Sequence, residues 1–198
     1  KAIEIDPELA EAHAGVAGAY VVLALMGDRP AEDMPEAREA ARKALEIDDG
    51  LADAHNAAGY VALYFDQDWQ AGAEAFRKSL EIDPTSYDAY LGLGLFEYYC
   101  SKLTGAIKIL AWLIGFKGNS EKGLEYVTRA MTHGKYSEGA AKVFLAYAYI
   151  QYEDKLDEGV ELAKNLRQRY PRNFTFVEYF LRAARKLIGM AKIMPSTV

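Results

Sequence analysis

Ala2-Ile-Glu-Ile-Asp-Pro7, Ala44-Leu-Glu-Ile-Asp-Asp49 and Ser79-Leu-Glu-Ile-Asp-Pro84 are one hexapeptide written three times, and each copy leads into a fresh amphipathic segment. Self-similarity with a period of about 34 residues marks stacked helix pairs, because a unit of that size cannot bury its apolar face alone and must lean on its neighbours. The expected fold is therefore all-α, a right-handed α-solenoid of antiparallel helix pairs. Since Lys1 to Pro7 reads as the end of a helix, a truncated preceding repeat is expected at 1–7.

The segments between the hexapeptides superimpose. Ala12-His13-Ala14 falls on Ala54-His55-Asn56 and on Ala89-Tyr90-Leu91, with Gly59 and Gly94 four residues after His55 and Tyr90; these are the first helices of each pair. The second helices align on Ala37, Gly72, Gly123 and Gly159, followed seven residues later by Ala44, Ser79, Ala130 and Leu166. Between them Ala41, Phe76, Val127 and Ala163 keep the i+4 spacing of one buried face. Small residues at the first of these positions predict close helix crossings. Helices are predicted over about 8–26, 33–48, 51–65, 68–82, 86–102, 104–116, 120–133, 137–153, 156–169 and 173–190, with Ser86, Ser120, Ser137 and Asn173 as N-caps.

This pattern resembles the tetratricopeptide repeat family, whose unit places a large residue, an apolar one and Gly or Ala in its first helix, and Ala, an aromatic, Ala and Pro in its second. The resemblance is strongest from Lys43 to Tyr99; it weakens from Glu121 to Pro171, where Leu166 replaces the second small residue. Tyr98-Tyr99, Leu113-Ile-Gly-Phe-Lys-Gly, Phe144-Leu-Ala-Tyr and Arg169-Tyr-Pro-Arg-Asn are similar to bacterial tetratricopeptide proteins with an inserted helix, a group with no agreed biochemical activity. The resulting division is repeats one, two and the first helix of three over 8–100, an insertion over 101–118, the rest of repeat three and repeat four over 119–171, and a capping helix with a tail over 172–198.

The insertion reads Ser101-Lys-Leu-Thr-Gly-Ala-Ile-Lys-Ile-Leu-Ala-Trp-Leu-Ile-Gly-Phe-Lys-Gly118. Its large apolar residues spread around the helical wheel, and a helix apolar on all sides must be covered. Trp112 is accordingly expected to be largely buried, with the helix covering part of the neighbouring surface. The alternative is a peripheral membrane or lipid-associated role for the apolar helix 107–116.

Chemistry is sparse. Catalysis needs a nucleophile or an acid and base converging on one point, and no such set stands out. His13 and His55 occupy the large-residue anchor that Tyr90 fills in repeat three, which makes them packing residues; His133 ends a helix. One cysteine, Cys100, and three scattered histidines give no zinc spacing, so no metal or cofactor is expected. A net charge of −6 without a basic stripe argues against nucleic acid. The sequence assigns no compartment.

A surface remains. In the tetratricopeptide family the first helices line a concave groove, and by that resemblance the inward positions here are Asn56, Tyr60 and Tyr64 in repeat two and Leu91, Leu95 and Tyr99 in repeat three. Such a Tyr-rich groove suits a peptide or a partner helix. Glu11, Asp53 and Asp88, two residues before each anchor, are expected to form an acidic edge favouring neutral or basic partners. Clamps for a C-terminal carboxylate carry Lys, Arg and Asn at these positions, and only Asn56 matches. The expected function is a non-catalytic protein-interaction scaffold.

Overall fold

The computed structural model describes residues 2–26, 30–113 and 116–171, and every regular element among them is helical. In chain order these are α1 (Ala2–Ile5), α2 (Ala10–Met26), α3 (Pro30–Ile47) and α4 (Ala52–Val61), which runs on into a π-turn at Ala62–Asp66. There follow α5 (Trp69–Ile82), α6 (Tyr87–Lys102), α7 (Gly105–Leu113), α8 (Ser120–His133), α9 (Glu138–Gln151) and α10 (Leu156–Arg169). The chain divides into two compact units, the first ending at Ser137 and the second beginning at Glu138. The expected helix 173–190, with its cap at Asn173, lies outside the described residues.

In the first unit α2 packs on α3, α4 on α5, and α6 on α8, while contacts of α2 and α3 with α4, and of α5 with α6, join one pair to the next. The second unit contains the pair α9 and α10. The second-helix alignment is a list of core residues: Ala37, Ala41, Ala44, Phe76, Ser79, Val127, Ala130, Ala163 and Leu166 are all buried. Phe76 is fully enclosed, and Cβ atoms added at Gly59 or Gly92 would strike its ring, so the bulk of one aromatic is accommodated by two missing side chains.

The hexapeptide acts at the joints. Its aspartate closes an Asx turn in each copy: Asp6 Oδ1 accepts from Glu8 N at 3.0 Å, Asp48 Oδ1 from Gly50 N at 2.8 Å, and Asp83 Oδ1 from Thr85 N at 2.8 Å. The anchor residue of the next helix then bonds back to the carbonyl six residues earlier. The partners are His13 Nε2 with Pro7 O at 2.9 Å, His55 Nε2 with Asp49 O at 2.9 Å, and the Tyr90 hydroxyl with Pro84 O at 3.4 Å. A ring N–H or a phenol performs the same task, which is why His and Tyr share one alignment column.

Two caps differ from expectation. Ser120 is the first residue of α8, and Asn119 caps it by accepting from Lys122 N at 3.0 Å. Ser86 holds the cap position of α6, yet its hydroxyl accepts from Ser79 Oγ at 3.1 Å and makes no bond to the helix. Both hydroxyls are near the helix start, and the competing acceptor or donor decides their use.

The inserted helix also differs. Ile107, Ile109, Leu110 and Leu113 are between 62% and 67% exposed, and Trp112 is 59% exposed, so the expected burial of Trp112 is overturned. Ala111 is the one buried residue of α7, and α7 takes part in none of the principal helix–helix contacts among the described residues. The end of the insertion is the part that packs. Phe116 lies against the core, its ring 5.5 Å from that of Phe96, and Gly118 sits so close on the backbone of Cys100 and Ser101 that a Cβ has no room. The buried carboxylate of Glu97 completes the clamp, accepting from Asn119 N at 3.2 Å and pairing with Lys122 at 3.6 Å.

Candidate functional site

The six expected groove residues separate into a buried layer and an exposed one. Tyr60 and Leu91 are each 5% exposed and lie beneath the surface they were expected to line. The Tyr60 hydroxyl donates to the Asp88 carbonyl at 3.0 Å, and its ring meets Phe76 edge-on at 5.0 Å. Burial raises the Tyr60 phenol well above its ordinary pKa, with Tyr64 and Asp88 adding to the effect. Tyr60 is a strut from α4 to α5 and α6. Asn56 and Leu95 are half-buried, and the Asn56 Oδ1 atom is enclosed without a hydrogen-bond partner.

Tyr64 and Tyr99 form the exposed layer, at 49% and 42%. Their placement depends on the π-turn Ala62–Asp66, which ends on Gln67 in the left-handed region (φ 56°, ψ 24°). A π-turn rotates the succeeding residues relative to a regular helix. Leu63 stays buried while Tyr64 and Phe65 face solvent. The turn is pinned on one side by Arg38 of α3, which pairs with Asp66 and lies 5.0 Å from the Phe65 ring centre. On the other side Asp68 caps α5 by accepting from Ala71 N at 3.0 Å.

That arrangement brings in a residue the sequence did not flag. Trp69, first in α5 and 40% exposed, meets Tyr99 edge-on with ring centres 6.5 Å apart. Tyr64 stacks on Tyr60 at 6.1 Å, and desolvation followed by the influence of Tyr99 raises the Tyr64 phenol above its ordinary range. Tyr64, Trp69 and Tyr99 thus form one aromatic surface contributed by the α4 extension, α5 and α6. A tryptophan directly after a capping aspartate is the sequence signal, since the first turn of a helix is rarely enclosed.

The acidic edge is mixed. Glu11 and Asp53 are exposed, whereas the Asp88 carboxylate is engaged, its Oδ1 accepting from Tyr136 N (3.0 Å), Ser137 N (2.8 Å) and Ser137 Oγ (2.6 Å). Asp88 therefore ties α6 to the turn after α8, a role its sequence position did not reveal. Lys135 has its pKa raised, first by a hydrogen bond with Tyr136 and further by Asp53 and Asp88, so a cation stands in the field of both carboxylates.

Among the described residues no group of three or more His, Cys, Asp or Glu could hold a metal ion, and no helix is long and apolar enough to cross a membrane. No family profile matches the chain, and no curated protein matches it. Among solved structures it is similar to two crystal structures of MamA, each at 21% identity. The first has a TM-score of 0.44 over 97% of this chain and 86% of that one; the second has 0.43 over 99% and 82%. At that distance no site residue is carried across.

Proposed function

We propose that this protein is a non-catalytic interaction scaffold whose helix pairs form a right-handed solenoid, and that it binds a peptide or partner helix over Tyr64, Trp69 and Tyr99. The observation that carries this reading is the exposed three-helix aromatic surface, built on a pinned π-turn. Aromatic rings exposed together on rigid helices provide large contact area at small entropic cost. Tyr60 and Leu91 support the surface from below, Leu95 lies beside it, and Asn56 has a carboxamide oxygen that no internal bond retains. Glu11, Asp53 and the residual charge of Asp88 favour neutral or basic partners.

A displayed random-peptide library panned on the 198-residue chain tests this. Selected peptides should lack acidic runs, and the Tyr64→Ser/Tyr99→Ser double variant should bind them about 10-fold or more weakly, equivalent to roughly 1.4 kcal/mol. Its melting temperature should stay near that of the parent, because both rings are exposed. Undiminished binding by a folded double variant would remove the surface from consideration.

A further inference from the structure

The large apolar residues of α7, Ile107 and Trp112 included, are exposed, and part of the set forms an outward stripe. Ala106, Ile109, Leu110 and Leu113 follow the i, i+3, i+4, i+7 spacing of one helical face, and all four are exposed, with Trp112 exposed as well. An amphipathic helix packed in a domain turns such a stripe inward. Here the buried residue is Ala111, and the stripe faces away from the protein.

The charge around the stripe is equally unusual. From Tyr98 to Ser120 the chain has Lys102, Lys108 and Lys117 and no acidic residue, although the chain as a whole carries −6. All three lysines are exposed, and Lys117 Nζ lies 5.6 Å from the centre of the Trp112 ring. An anionic surface attracts this insertion while repelling much of the acidic remainder. A second copy of the chain would bring three lysines against three lysines, which disfavours a symmetric dimer through this face.

We propose that α7 is an interfacial anchor that docks the protein on an anionic lipid bilayer. Nine residues give a helix of about 13 Å, less than half a membrane thickness, so α7 lies in the plane of the interface with its stripe among the acyl chains. Trp112 sits at headgroup level, where tryptophan is favoured, and the lysines reach the phosphates.

Flotation of the 198-residue chain with phosphatidylglycerol/phosphatidylcholine vesicles tests the proposal. At about 0.1 M salt binding is expected to be at least 10-fold tighter than to pure phosphatidylcholine. Replacing Lys102, Lys108 and Lys117 by Gln should weaken it by roughly 100-fold. Ile109→Ser/Leu113→Ser should abolish binding without lowering the melting temperature, since both side chains are exposed. In a Trp69→Phe background, Trp112 emission should shift to the blue on adding anionic vesicles. Absence of binding to anionic vesicles, or equal binding by the serine variant, overturns the proposal. So does a blue-shifted, iodide-resistant Trp112 in the vesicle-free monomer, which would mean that the chain covers the stripe itself. A dimer lost in the serine variant, without vesicle binding, would assign the face to a second copy.

Discussion

Gly123→Ala and Gly18→Ala are the same chemical change with opposite expected outcomes. At Gly123 a Cβ would stand 2.8 Å from both Gly94 O and Tyr98 N and 3.0 Å from Tyr98 Cα, whereas ordinary contact begins at 3.4 Å. The shortfall of about 0.6 Å falls on backbone atoms, so no rotamer change relieves it and α6 and α8 must separate. Overpacking of this kind costs about 1–3 kcal/mol, after offsetting the ~1 kcal/mol gained in helix propensity. At Gly18 nothing lies within 4 Å of the added carbon, and the propensity gain of about 0.5–1 kcal/mol stands alone. Since 1 kcal/mol moves the melting temperature of a chain this long by roughly 2–4 °C, the two variants should melt on the order of 10 °C apart. Thermal unfolding followed by far-ultraviolet circular dichroism reads this directly. A Gly123→Ala protein that melts at or above the parent would refute the close crossing and the repeat alignment that anticipated it.

Asp88→Ala leaves the N–H groups of Tyr136 and Ser137 without their acceptor and should cost about 1–3 kcal/mol in urea unfolding, while Asp53→Ala, at an exposed position, should cost under about 0.5 kcal/mol. Burial pushes the Cys100 thiol up to about 11, with Glu97 adding and Arg77 opposing. A disulfide reagent at about pH 8 should therefore modify it far more slowly in the folded than in the urea-unfolded chain. Because the folded pKa is the higher one, this group supports stability below the thiol's ordinary value of 9.0 and withdraws that support as pH climbs toward 11. Thermal melts should therefore fall more steeply from pH 9.0 upward in the parent than in Cys100→Ala, where only the raised phenols of Tyr60 and Tyr64 and the remaining groups still titrate.

The helix pairs were legible because the same buried positions recur from one pair to the next. One small residue at Gly72, Gly123 and Gly159 and one closed position at Phe76, Val127 and Ala163 report the same contact again and again, and the aspartates of the hexapeptide report the same turn. The insertion occurs once, so its periodicity could say that a stripe exists and not which way it faces. Trp112 was expected to be buried on the general tendency of apolar helices, and the lysines beside it carried the opposing signal. Register puts Tyr60, Tyr64 and Tyr99 in one class and does not tell the buried Tyr60 from the two exposed rings, since a phenol that donates to a carbonyl 28 residues away has no local sequence mark. Trp69 was missed, and Asp88, named for the acidic edge, was not expected to tie α6 to the turn after α8, for a related reason: each acquires its role from a residue many positions away.

The stitching of the insertion at Gly118 against Ser101 makes α7 a detachable part. Chain entry and exit lie side by side, and α6 meets α8 without help from the segment that hangs between them. Excision of 103–113 behind a short bridge, with Phe116 kept against the core, would leave the host pair its crossing, and a different peptide spliced into the same port would be displayed without disturbing the frame. Change confined to 103–113 leaves that crossing in place, so one frame can carry different inserts there.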